Sequence, residues 1–238
     1  MLGSCLVLSC SKNLFWQAPM SGTWQVKLAH QLELATKDLY RWKKAAKVSC
    51  SFKRFKVTQL HIKRRNVDWP WLKSKAANAA AITSFLLHLY SRLPHPDEED
   101  KMVKLALTGF DRIYQIVRHK HRWLSKRDRK RFEEGRQMCL HAYNALSAEN
   151  AARDPPRALF NMLPKFHMTD HIIRDAVSDG MNPRCFWTLG DESFGGDVAK
   201  VCAVLHPRAM SQRCVNRWMA VFFKRPMIFE PNFVSDYV

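Results

Sequence analysis

The chain has 238 residues, with 39 lysines and arginines against 21 acids, a formal net charge of +18 and an isoelectric point near 9.9. That length allows one large domain or two small ones with a sizeable core, and eight tryptophans and fourteen phenylalanines exclude a disordered chain. A charge excess of this size repels itself in a compact fold and points to an anionic partner; phosphate backbone is the commonest, because each neutralised phosphate releases condensed counterions.

Residues 1–10 are mildly apolar but lack a basic leading segment, so no signal peptide is expected. The seven cysteines (Cys5, Cys10, Cys50, Cys139, Cys185, Cys202, Cys214) are odd in number and form no C-x-x-C pair. Reduced thiols are expected rather than a disulfide framework or a zinc ribbon. No stretch is long enough to cross a bilayer: the apolar run 76–89 is broken by Asn78, Thr83, Ser84 and His88. These features predict an intracellular protein without a membrane partner, in the nucleus rather than the cytoplasm. Only eight glycines are present, too few for a many-turned β fold, so the expected class is all-α, a multi-helix bundle.

In chain order, Trp24, Leu28, Leu32, Ala35, Leu39, Trp42 and Ala46 recur at three- and four-residue steps, one apolar face of a long helix. From its second half onward the chain is basic. Arg41, Lys43, Lys44, Lys47, Lys53, Arg54, Lys56, Lys63, Arg64, Arg65, Lys73 and Lys75 meet a single acid, Asp68. The periodicity of 50–66 fits a short strand or an irregular basic loop equally, and Phe52 and Phe55 within it suit either base stacking or anchoring of a loop. Asp68 and Pro70 predict a helix start, and the alanine-rich run continues that helix to residue 93.

Pro94-His95-Pro96 ends it, and Asp97, Glu98, Glu99 and Asp100 suit the positive end of the next helix. Arg118, His119, Lys120, His121 and Arg122 fall at that helix's end, where the dipole favours cations. Ser125 and Asp128 predict a cap opening a further helix. Residues 97–154 therefore suggest two long helices in an antiparallel hairpin. Asp154-Pro155-Pro156 is the strongest internal boundary and predicts regions 1–154 and 155–238. Further helices are expected at 166–177, 192–205 and 211–223.

Two patterns suggest chemistry. His167 and His171 are four apart, so on a helix both imidazoles face one way and could share a metal; Asp191, Glu192 or His206 would have to supply a third ligand. The same pair also fits histidines packed on Trp187 or bonded to carbonyls. Asp191 and Glu192 suit either a helix cap or a divalent cation such as magnesium. The segment Pro164-Lys165-x-His167-x-x-x-His171, followed by Phe186-Trp187-Thr188, Glu192 and Gly196, resembles a stretch of the CACTA-like and Kyakuja–Dileera–Zisupton-like cut-and-paste DNA transposases. Trp69-Pro70-Trp71-Leu72-Lys73-Ser74-Lys75-Ala76-Ala77-Asn78 is similar to a stretch of eukaryotic mobile-element proteins.

The resemblance implies an RNase H-like enzyme using acidic residues and two metal ions, with Glu192 at an acidic position and Asp191 beside it. No β-rich segment carrying two earlier aspartates is visible. The chain is therefore expected to be a helical C-terminal or accessory part that binds nucleic acid, DNA rather than RNA, without a complete catalytic core. The alternatives are a metal-dependent strand-transfer enzyme built on His167, His171, Asp191 and Glu192, and a basic module that docks an acidic protein.

Overall fold

The apolar stripe of the first long helix is buried at its centre, while Trp24 and Trp42 are half-buried and Ala46 is exposed just past the helix end. Leu28, Leu32, Ala35 and Leu39 all face the core, and the Thr23 hydroxyl caps the helix by accepting from the Val26 N–H at 3.4 Å. The protein is seen here as a computed structural model that describes residues 1–185, and Met1–Cys185 forms one compact unit. The described residues hold six α-helices: α1 (Leu2–Ser11), α2 (Trp24–Ala45), α3 (Ala76–Tyr90), α4 (Glu98–His119), α5 (Lys126–Ala152) and α6 (Pro164–Asp179). Among them the only β pairing is an isolated bridge between Trp123 and Met181. The class is all-α. The helices expected at 192–205 and 211–223 lie outside the described residues.

The centre of the core is α1. Residues 3–10 are buried, because nearly every side chain there is apolar or small. Its polar groups are matched: the Ser9 hydroxyl donates to the Cys5 carbonyl at 2.8 Å and shares a 2.9 Å hydrogen bond with the Tyr90 hydroxyl. The Ser4 hydroxyl accepts from the Phe160 N–H at 3.0 Å. Phe85, Leu86, Leu107, Tyr143, Leu146 and Phe160 surround this helix in the same cluster. A second cluster, Ile116, Val117, Leu124, Phe132, Ile173 and Ala176, lies under α6.

Helix α4 opens with the capping box that its acids suggest: Asp97 accepts from the Asp100 N–H at 2.9 Å, and Asp100 reaches back to the Asp97 N–H. Helix α5 opens at Ser125, whose hydroxyl accepts from the Asp128 N–H at 3.1 Å. The two pack antiparallel: Arg112 pairs with Glu134 at 2.8 Å, while Asn150, near the end of α5, bonds Glu99 in the first turn of α4. Gly109 and Gly135 set how closely they approach. A Cβ on Gly109 would lie 2.5 Å from the Cys139 nitrogen and 2.6 Å from the Gly135 oxygen.

One helix boundary differs from expectation. Helix α3 begins at Ala76, and residues 71–75 are not helical. The Trp71 N–H donates to the Leu60 carbonyl at 3.2 Å and the Lys73 N–H to the Gln59 carbonyl at 3.1 Å, which ties this stretch to the preceding segment. Asp68 does not cap a helix either. Its carboxylate accepts the Lys63 and Arg64 N–H groups at 2.8 and 2.7 Å. A local turn closed by Asp68, together with backbone bonds spanning 11 and 14 residues, wins over the start signal.

Candidate nucleic-acid interface

Residues 50–63 contain no strand; they run irregularly back along α2, with one 3-10 turn at Val57–Leu60. Three contacts set the direction: the Lys43 ammonium donates to the Cys50 carbonyl at 2.9 Å, the Phe55 N–H to the Thr36 hydroxyl at 2.9 Å, and Gln25 to the Lys63 carbonyl at 3.2 Å. Phe52 and Phe55 are buried in the main core with ring centroids 4.9 Å apart, so they anchor the segment and offer no face to a base. Their burial turns Lys53, Arg54 and Lys56 outward, and all three are exposed.

Ten of the twelve cations of the basic stretch fall into three groups, and two are engaged locally. Lys44, Lys47, Lys53, Arg54 and Lys56 line the C-terminal half of α2 and the segment beside it. Lys43 is spent locally, on Cys50 and over the Tyr40 ring at 4.4 Å, and Arg41 pairs with Asp38 at 3.2 Å. Lys63, Arg64 and Arg65 stand at the opposite end of α2. There Asp68 sits on the Arg64 and Lys63 N–H groups, which hold its carboxyl below the usual range, and pairs with the Arg64 guanidinium at 3.4 Å. Lys73 and Lys75 lead into α3, beside the first group: Asn78 accepts from the Ser51 N–H and hydroxyl, each at 3.1 Å.

A further set of cations joins Lys75 through the fold. The Tyr114 hydroxyl donates to the Ala76 carbonyl at 2.5 Å, which puts the start of α3 against the last turns of α4. Arg118 and Arg122 follow on that end, then Lys126 and Arg127 in the first turn of α5, all exposed. Cations at the end of α4 suit its dipole, but those opening α5 oppose it. Helix electrostatics therefore does not account for the cluster as a whole. The turn carrying it is fixed by buried Asn182, whose amide donates to the carbonyls of Ile116, Val117, Lys120 and His121 at 3.2–3.3 Å. Asn182 N–H also bonds the Arg122 carbonyl at 2.8 Å. In the sequence, 73–75 and 118–127 are separate runs; α3 and α4 bring them together.

Carboxylates gather at the other end of the bundle. Lys12 lies 2.6 Å from both Asp97 and Asp100 and 3.8 Å from Glu99, while Arg157 and Arg153 reach Glu99 at 2.7 and 3.4 Å. Desolvation pulls the Lys12 pKa down, but hydrogen bonds to Asp100 and Asp97 outweigh it and leave it raised. These cations are engaged by the protein's own acids. By contrast, Lys44, Lys47, Lys53, Arg54, Lys56, Lys73 and Lys75 pair with no carboxylate among the described residues.

The histidine pair forms as its spacing predicts. His167 and His171 are exposed on α6, with Nε2 atoms 3.0 Å apart and rings nearly perpendicular. Asp170, between them, bonds Arg136 and pairs with Arg174 at 3.0 Å. No group of three metal-ligating side chains occurs among the described residues, and Asp191, Glu192 and His206 lie outside them. No helix among the described residues is long and apolar enough to cross a membrane. No family model matches the chain, and neither does a curated protein or a solved structure.

Proposed function

We propose that the protein binds nucleic acid through the basic surface formed by the C-terminal half of α2, residues 53–56, residues 73–75 and the α4–α5 turn. The supporting observation is the division of charge. One end of the bundle presents mostly lysines and arginines without carboxylate partners among the described residues, Lys120 with Asp128 at 3.0 Å and Arg41 with Asp38 being exceptions, while a cluster of acids at the other end is taken up by Lys12, Arg153 and Arg157. A polyanion would relieve the self-repulsion of the first end. DNA is the favoured partner and the nucleus the favoured compartment, on the resemblance of residues 164–196 to cut-and-paste transposases. On that reading the chain is a helical accessory part of such a protein and not a complete strand-transfer enzyme.

Salt-dependent DNA binding tests this reading. The variant Lys53→Gln, Arg54→Gln, Lys56→Gln keeps Phe52 and Phe55 in the core and removes three exposed charges. The slope of log affinity against log salt should then fall by about 2–3, from roughly 0.9 per phosphate contact. Wild-type binding that is absent at low salt, or flat as salt rises, rejects the proposal.

A second reading rests on the 3.0 Å separation of the His167 and His171 nitrogens, which suits two ligands of one divalent ion completed by groups such as Asp191 and Glu192. Calorimetric titration with zinc and with magnesium, and a nicking assay with magnesium or manganese, would detect it. No heat and no cleavage would dismiss it.

A further inference from the structure

The described tryptophans fall into two sets. Trp16 is buried, and Trp24 and Trp42 pack against the main core. Trp69, Trp71 and Trp123 are 40%, 51% and 45% exposed, and every one of them lies in a basic stretch. Partly exposed indoles set among cations leave flat aromatic surface and positive charge side by side.

The pair at Trp69 and Trp71 is held in place by its neighbours. Between them Pro70 is buried against α1, where its carbonyl oxygen would lie 2.7 Å from a Cβ on Gly3. With Pro70 pinned inward, the residues on either side turn out. His61 then stacks on Trp71 with ring centroids 3.9 Å apart and planes 8° from parallel. It does so from a left-handed backbone conformation, φ 54° and ψ 31°, that non-glycine residues seldom occupy. The 3.2 Å hydrogen bond from the Trp71 N–H to the Leu60 carbonyl fixes the two rings in register. One face of Trp71 is thus covered by an imidazole, and the exposure that remains belongs to its other face and edge.

Cations flank this stack. Lys63, Arg64 and Arg65 follow His61 in the chain. Lys73 and Lys75 follow Trp71, with Lys75 no more than about 14 Å away along the backbone. Flat aromatic surface beside a row of ammonium and guanidinium groups is the recognition chemistry of unpaired nucleotides, whose bases stack while their phosphates are neutralised. A duplex buries its base faces and can use only the cations.

Building on the nucleic-acid reading above, we infer that the His61–Trp71 stack, with Trp69 beside it, is a base-stacking platform that makes single-stranded nucleic acid the preferred substrate. The test compares an oligodeoxythymidine of about 20 nucleotides with a duplex of the same length, by fluorescence anisotropy at fixed salt. Trp71→Ala should weaken single-strand binding by about fivefold or more and leave duplex binding unchanged. Trp71→Phe, which keeps a ring, should retain most of the affinity, and circular dichroism will show both variants folded, since the side chain removed is half exposed. Equal losses on the two substrates, or none on the single strand, would overturn the inference while leaving the basic surface as a duplex binder. Failure of the wild type to bind either substrate at low salt would remove both.

Discussion

Replacing Lys12 by methionine tests whether the carboxylate end of the bundle is held by one ammonium group. Lys12 Nζ lies 2.6 Å from Asp97 and from Asp100. Asp97 reaches water, so its pair contributes about 1 kcal/mol at most. Glu99 keeps Arg157, Arg153 and Asn150. Asp100 is different: its side chain is 2% exposed, and its other contact is a 3.3 Å bond from the Asp97 N–H. Removing one partner of a buried ion pair costs about 3–5 kcal/mol. With urea m-values of about 2–3 kcal/mol/M, the unfolding midpoint should fall by roughly 1–2.5 M.

The loss should also depend on pH in a defined direction. Burial, opposed by Lys12, already raises the Asp100 pKa in the folded state, and without Lys12 it must rise further. A carboxyl whose folded pKa is raised takes up its proton more readily in the fold than in the unfolded chain, so lowering the pH toward its unfolded value near 4 restores stability to the variant. Asp97 runs the opposite way in the wild type. Burial pushes its pKa up, but the bonds to Lys12 and to the Asp100 N–H outweigh that and lower it, so its contribution is lost only as pH falls below about 4, and the change above that pH belongs to Asp100. Wild type and variant should therefore converge in stability as pH falls from 7 to about 4.5. A midpoint shift under about 0.5 M urea, or a gap that widens in acid, would refute the account.

Gly109→Ala should lower the melting temperature although alanine favours helix: a gain of about 1 kcal/mol in propensity is outweighed by roughly 1–3 kcal/mol of overpacking, because the new methyl meets backbone atoms of α5 at 2.5–2.6 Å. Asn182→Ala should cost about 1–3 kcal/mol by stripping the last carbonyls of α4 of their buried donor, with faster amide exchange of Leu124, whose N–H bonds the Gly180 carbonyl at 2.7 Å, as the local readout. Burial pushes the thiols of Cys5, Cys10 and Cys139 up to about 12, so in the native protein at pH 8 iodoacetamide should spare all three while exposed Cys185 reacts, as peptide mass spectrometry will show.

Local signals of several kinds could be read from the chain alone. The step of Leu28, Leu32, Ala35 and Leu39 gives α2, the acids from Asp97 to Asp100 give the start of α4, Ser125 with Asp128 gives the start of α5, and Gly180 marks the end of α6 with its left-handed backbone. Each depends on side chains within a turn or two of one another, so short-range geometry suffices. The start of α3 differs because Asp68 closes a competing local turn on Lys63 and Arg64, and because the Trp71 and Lys73 N–H groups bond the Leu60 and Gln59 carbonyls, which requires the preceding segment to lie alongside.

The sequence by itself determined that the protein is helical and strongly cationic, because periodicity and net charge are sums over residues that need no fold. It also placed His167 within reach of His171, since both lie on one helix. Only the tertiary structure decided that Phe52 and Phe55 are core anchors, that Trp69 and Trp71 face water, and that the start of α3 packs against the last turns of α4. Burial and charge convergence depend on which helices lie side by side, and that is set by packing around α1, whose unpatterned apolar run carries no directional signal of its own.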